Sequence, residues 1–266
     1  MASRGEIVGL TKIKDDAHFI VHLPVMHSKQ SAEALPTSII FGGTRAPVAS
    51  LGAAEATHLR LQALARYAGA RSGDSRVVDN RVNQVVLVVE GAVKLIASVS
   101  GGRTHVMGFY FKDDFIYLPA RETHAYNLCA LKDCELIAFP ATEFIRLAQN
   151  DRALNNNFIG HLLRTLGRSR EKTIALGQKT ARERVATFLV SMAERIGSPF
   201  SNGALLDLPM SRRDIGENIG LTIETVSRQM TELRNAGLVS TSGRSQVKIL
   251  DLAALKQEAG HFPVLT

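Results

Sequence analysis

Glu224, Ser227 and Arg228 stand at i, i+3 and i+4. On a helix that spacing puts three polar side chains on one face within the first turns. These residue types suit the edges of bases. An arginine reaches O6 and N7 of guanine bidentately, a glutamate accepts from the cytosine amino group, and a serine adapts to either role. The neighbouring Ile223 can touch a thymine methyl. A glutamate four residues before an arginine also makes an ordinary ion pair on a solvated helix. The triplet therefore takes its meaning from what surrounds it.

Two capped helices and a turn surround it. Ser211 is placed to cap a first helix, with Asp214 three residues on as its acidic partner. Ile215 and Ile219 form the inner face, and Gly220 permits a steep turn. Thr222 caps a second helix, in which Val226, Met230 and Leu233 recur at steps of four and three and face inward. Glu224, Ser227 and Arg228 are left outward, where a recognition helix meets base edges. Upstream, residues 180–196 (TARERVATFLVSMAERI) read as an amphipathic helix with Val185, Phe188, Leu189, Met192 and Ile196 inward. Gly197-Ser198-Pro199 stops it, and residues 205–208 form a short strand. Downstream, strands at 238–239 and 246–250 flank Thr241-Ser242-Gly243-Arg244. The order over 180–266 is that of a winged helix-turn-helix.

The rest of the chain reads as three segments. Residues 1–50 hold no persistent period and contain Pro24, Pro36, Pro47 and Gly42-Gly43, so they are expected to form an irregular extension. Within 51–150, residues 55–70 have leucines and alanines at helix-like intervals and predict one amphipathic helix. Short β-rich runs follow at 85–90, 93–99, 105–111, 115–118, 125–129 and 135–139, separated by turn residues such as Ser100-Gly101-Gly102-Arg103. That spacing predicts an antiparallel sandwich or jelly roll. Residues 142–177 read as a short helix and a long one. In the long one, Leu154, Phe158 and Leu162 form one ridge and Ile159, Leu163 and Leu166 another, one to face the β-domain and one to face a second copy of the chain. The fold class is α+β: a β-roll, a long helix over 151–179 suited to dimerisation, and the winged helix.

Composition narrows the function. The chain has 266 residues, 45% of them hydrophobic, which excludes global disorder. The net charge of +7 favours an anionic partner without naming one. Its one strongly basic segment is 151–179, where Arg152, Arg164, Arg168, Arg170, Lys172 and Lys179 face only Asp151 and Glu171. DNA binding by 180–266 must then rest on a few placed arginines. The longest apolar run, residues 85–89, is far short of a membrane span, and Met1 to Asp16 lacks a secretory apolar region, so the cytoplasm is the expected location. Cys129 and Cys134 are too few for a disulfide scaffold or a four-cysteine cluster and read as core or edge thiols. His18, His22 and His27 have no carboxylate at matching spacing and are not read as a metal site. No phosphate-binding loop, nucleophile elbow, zinc-protease motif or dinucleotide fingerprint occurs, so no enzyme activity is expected.

The stretch from about 180 to 250 resembles the Crp/Fnr family of bacterial transcription regulators. The phrase running from Leu221 through Thr222, Ile223, Glu224, Thr225, Val226 and Ser227 to Arg228 is most similar to the Fnr/FixK branch. Residues 208–215 and 179–185 are also family-like, and the resemblance extends over about 55–255. It implies a homodimer in which a β-roll sensor, similar to cyclic-nucleotide-binding domains, joins a dimerisation helix and a winged helix. In that branch the Glu, Ser and Arg matching Glu224, Ser227 and Arg228 read a TTGAT-type half-site, which implies a TTGAT-N4-ATCAA-like palindrome and activation through RNA polymerase. The Crp branch carries an arginine where this chain has Ile223, which argues against a Crp-type site. Ser211, Arg212 and Arg213 match the phosphate-contacting start of the first motif helix. Thr222, Thr225 and, in the wing, Arg244 are further phosphate candidates. Such contacts position a protein without reading sequence.

The sensor departs from two family patterns. Cyclic-nucleotide sensors pair a Gly-Glu with a later Arg-Ser or Arg-Thr. Here Arg121 is present but the Gly-Glu is not, and Asp113, Asp114 and Glu122 would repel a phosphate. No cysteine precedes Cys129, against the family's N-terminal iron–sulfur ligands. Some members bind haem, which leaves His105 and His124 as candidate ligands. The resemblance favours a regulator that needs no small ligand. The competing reading is a β-roll that binds a small molecule, metal or haem, with a helix-turn-helix used for protein contacts.

Overall fold

The computed structural model describes residues 53–79, 81–98, 102–120 and 125–260. The extension 1–50 with its three histidines lies outside the described residues, as do Arg121, Glu122 and His124. Helix α1 (Ala53–Leu64) leads into seven strands: β1 (Arg66–Ala70), β2 (Gln84–Glu90), β3 (Ala92–Ser98), β4 (Thr104–Phe111), β5 (Phe115–Leu118), β6 (Ala125–Ala130) and β7 (Cys134–Pro140). They form two antiparallel sheets, ordered β1-β7-β2-β5 and β4-β3-β6. Alternating apolar residues from both sheets meet between them. Val86, Val88, Val93, Leu95, Ile116, Leu118, Leu128 and Leu136 are buried there and fill the interior of the roll.

One expectation fails at the start of this domain. The helix over 55–70 ends at Leu64, and Arg66–Ala70 is strand β1, paired antiparallel with β7 from Arg66↔Ala138 to Ala70↔Cys134. Ala68 and Ala70 pack on the core while Tyr67 faces out, a period of two that the alanine-rich sequence conceals. Pairing with β7 satisfies the backbone more fully than one further helical turn would, so tertiary context overrides propensity.

Helices α2 (Ala141–Ala148) and α3 (Arg152–Gln178) follow. Asp151 caps α3 by accepting from the Ala153 and Leu154 amides, each at 3.0 Å. Phe158 of α3 packs edge-on against Phe115 and Phe144, which seats the helix on the β-roll. The two ridges read from the sequence do not divide cleanly. Phe158 is buried, but Leu162 joins Ile159, Leu163 and Leu166 in solvent, and Ile174 extends the exposed row.

The C-terminal part comprises α4 (Ala181–Ile196), β8 (Ser198–Phe200), β9 (Gly203–Asp207), α5 (Arg212–Ile219), α6 (Ile223–Asn235), β10 (Val239–Ser242), β11 (Gln246–Ile249) and α7 (Leu252–Glu258). Its sheet runs β10-β11-β9-β8. Strand β8 and helix α7 were not foreseen. Ser198 and Pro199 read as a helix stop, and the edge strand they enter has only three residues. The core of this part includes Val185, Phe188, Leu189, Ile215, Val226 and Leu233, and also Val106 and Phe109 from β4. Phe109 meets Phe188 at 6.0 Å, nearly perpendicular. One strand of the β-roll therefore completes the hydrophobic core of the winged helix.

A buried polar cluster lies beneath this contact. Asp114 accepts from Arg195 Nη2 at 2.8 Å and from the Phe111 amide at 2.8 Å, and His161 Nε2 is 3.2 Å from its other oxygen. Burial alone would raise the Asp114 pKa. The His161 hydrogen bond, the Arg195 charge and the Phe111 amide outweigh it and hold the carboxyl below its usual range. Burial pulls Arg195 down while Asp114 pulls it up, and an arginine stays charged either way. The depressed carboxylate contributes stability above its unfolded pKa and loses it as pH falls through the folded value. We expect urea midpoints of the wild type to drop more steeply below about pH 5 than those of Asp114→Asn. Parallel acid limbs would contradict this role.

Candidate nucleic-acid interface

The helix pair is shaped locally. Ser211 caps α5: its hydroxyl accepts from the Asp214 amide at 3.1 Å, while the Asp214 carboxylate accepts from the Ser211 amide at 2.9 Å. Thr222 caps α6 by accepting from the Thr225 amide at 3.2 Å. Between them Gly220 adopts the left-handed conformation, φ 68° and ψ 40°. A Cβ there would sit 2.9 Å from Leu176 Cδ2, so the turn also lies close against the end of α3. Gly220→Ala is expected to cost about 1–2 kcal/mol, the left-handed penalty for an L-residue, read as a lower melting temperature. An unchanged melt would show that the turn tolerates a side chain.

Val226, Met230 and Leu233 are buried and hold α6 on the core. Glu224, Ser227 and Arg228 are exposed together on the opposite side, with Ile223 exposed beside them. The structure thus brings the four candidates for base contact onto one open surface. Arg228 does not turn back to Glu224. Its Nε lies 4.0 Å from Glu232, one turn further on, in a solvent-exposed pair. Hydrogen bonds from its own backbone amide and from Thr222, together with the nearby Arg213 charge, lower the Glu224 pKa and keep it ionised.

The phosphate candidates divide. Ser211, Arg213, Thr222 and Arg244 are exposed, the last in the β10–β11 turn. Thr225 is half-buried, its hydroxyl 3.1 Å from that of Thr222. Arg212 is also half-buried, and its Nη1 is buried without a hydrogen-bond partner among the described residues. Burial pulls its pKa down. It lines a cleft of about 200 Å³ between α6 and the wing, shared with Ser227, Met230, Thr231, Arg234 and Thr241. Arg234 and Thr241 were missed from the sequence. Arg234 stands seven residues after Ser227, two turns along the same face, and that spacing was the available signal.

Helix α5 is also tied from behind. The Lys94 ammonium of β3 pairs with Asp214 at its N-terminus. Asn218 Nδ2 donates to the Val106 carbonyl at 2.9 Å. Arg184 donates to Leu176 O and Lys179 O at the end of α3, both at 2.9 Å, and to Ile219 O at the end of α5 at 3.4 Å.

In the β-roll, burial and the Lys172 charge lower the His105 pKa. Among the described residues no three His, Cys, Asp or Glu side chains group as a metal site, and no helix is long and apolar enough to cross a membrane. Burial pushes the Cys134 thiol up to about 11 and raises that of Cys129, so neither is primed as a nucleophile.

A β-roll, a long helix and a winged helix-turn-helix with an open polar face define a DNA-binding regulator. Comparison with known proteins bears this out. A family model for the Crp-like helix-turn-helix domain matches residues 183–258, and one for the cyclic nucleotide-binding domain matches residues 78–151. The chain is 33% identical over 185 residues to the transcriptional activator protein FnrL of Cereibacter sphaeroides, covering 68% of this chain and 75% of that one. It is 32% identical over 186 residues to the nitrogen fixation regulation protein FixK of Azorhizobium caulinodans, covering 70% and 73%. The structure of FixK2 from Bradyrhizobium japonicum superposes with a TM-score of 0.62 at 29% identity, covering 73% of this chain and 96% of that one. The protein belongs to the Crp/Fnr family of DNA-binding transcription regulators.

Proposed function

We propose that the protein is a cytoplasmic, homodimeric, sequence-specific transcription activator that binds a TTGAT-N4-ATCAA-like palindrome and has no enzymatic activity. The observation that carries this reading is the joint exposure of Glu224, Ser227 and Arg228 on the first turns of α6. Two copies of α6 enter successive major grooves about 34–36 Å apart. Arg228 pairs with the guanine of each half-site, Glu224 accepts from a cytosine amino group, Ser227 adapts, and Ile223 packs on a thymine methyl. Ser211, Arg212, Arg213, Thr222, Thr225 and Arg244 hold the flanking phosphates.

The exposed row Ile159, Leu162, Leu163, Leu166 and Ile174 on α3 supports self-association, since it lies on one helix and is too apolar for a solvated face. The missing Gly-Glu and the lack of a cysteine before Cys129 support action without cyclic nucleotide or an iron–sulfur cluster. Bound upstream of a promoter, the dimer would act by touching RNA polymerase. The test is fluorescence anisotropy with the palindromic duplex and a scrambled one at moderate salt. Marked preference for the palindrome is expected, and equal affinity for both would overturn the reading.

A further inference from the structure

Strand β4 carries a bulge. Leu95 pairs with Gly108 and Ile96 with Val106, so Met107 is left unpaired between them. A bulge breaks the ladder locally and redirects backbone groups. Here two successive carbonyls of this edge strand meet two other parts of the chain. Lys172 Nζ of α3 donates to Val106 O at 2.9 Å and to Met107 O at 3.0 Å. Asn218 Nδ2 of α5 donates to the same Val106 O at 2.9 Å. Val106 and Asn218 are both buried. One backbone oxygen thus joins the β-roll, the long helix and the first helix of the DNA-binding motif.

Both donors are costly to place there. Lysine has no acceptor capacity and is seldom buried without a carboxylate, and an asparagine amide in a core must be satisfied. Strand β4 is an edge strand, and a regular one turns only alternate carbonyls outward, so the bulge is what lets two consecutive carbonyls, Val106 and Met107, meet one ammonium. Apolar side chains would fill the same space at lower cost. What the polar ties add is direction. They fix α5 against α3, and α3 carries the apolar row that pairs two copies.

We propose that the Met107 bulge is a seat that sets the angle of each helix-turn-helix to α3, and thereby the separation of half-sites that the dimer accepts, with Lys172 and Asn218 as positioning residues. This rests on the dimeric DNA-binding reading above. Neither residue is on the α6 face, so half-site recognition and spacing are separate properties of the molecule.

The test uses the full chain and duplexes whose TTGAT half-sites are separated by three, four or five base pairs, with scrambled half-sites as reference. Wild type is expected to favour one separation clearly. Lys172→Met and Asn218→Ala, on opposite sides of the carbonyl, each reduce that preference about tenfold, the scale of one charged or buried hydrogen bond. Both keep the preference for intact over scrambled half-sites, and Lys172→Arg keeps the wild-type spacing profile. A role limited to stability would weaken all separations alike, so an unchanged spacing ratio in both variants overturns the proposal. Wild type that fails to distinguish intact from scrambled half-sites would overturn the functional reading and this inference with it.

Discussion

Arg228→Ala is expected to reduce the preference for the native half-site by about 1–3 kcal/mol, roughly 5- to 150-fold, and to relax the choice at the guanine. The size follows from bidentate geometry, since two parallel donors on one base edge are lost together. Little opposes the contact in the free protein. The Arg228–Glu232 pair is 4.0 Å long with Arg228 68% exposed, and such surface pairs are worth about 0–1 kcal/mol. Melting temperature should barely move, because the side chain touches no core residue. Anisotropy titrations against duplexes substituted at the guanine check this. An unchanged base preference would remove Arg228 from the reading surface.

Leu163→Glu is expected to have the larger effect on affinity. Leu163 is 62% exposed near the middle of the row formed by Ile159, Leu166 and Ile174. In the proposed dimer a carboxylate there would face its own copy across a two-fold axis, and burying the pair without partners is prohibitive. The expected result is a folded monomer by sedimentation. Its affinity for the palindrome should fall about 10²- to 10⁴-fold, the avidity lost when two linked sites become one. The monomer should melt near the wild-type temperature, since the substitution points away from the β-roll. A variant that still sediments as a dimer would place the association surface elsewhere.

Much of this architecture is legible in the residues themselves. Strands β2 to β7 and helices α4, α5 and α6 stand within a few residues of where periodicity and turn chemistry put them. At those elements local preference and tertiary demand agree. Ser211 and Thr222 cap as read, and Thr180, read as the first residue of its helix, caps that helix instead. Strand β1 was missed because an alanine-rich stretch satisfies a helical pattern while its partner lies about seventy residues away in β7. The ties behind α5 were invisible for a related reason. Lys94 and Asp214 are 120 residues apart, and Asn218 and Val106 are 112 apart. A backbone carbonyl, moreover, leaves no mark on side-chain identity. The exposed polar face of α6 was readable because its residues all lie within one helix. The alignment of that helix with the remainder was not.

The sharing of Val106 and Phe109 between the two halves bears on how this regulator can be dissected. A fragment cut near Lys179 would keep the exposed polar face of α6 yet expose Phe188 and its neighbours where β4 had covered them. Such a piece would be sticky and loosely ordered. Grafting this reader onto another scaffold would require carrying along the underlying patch of β-roll, since here the boundary between sensor and reader runs through a common interior.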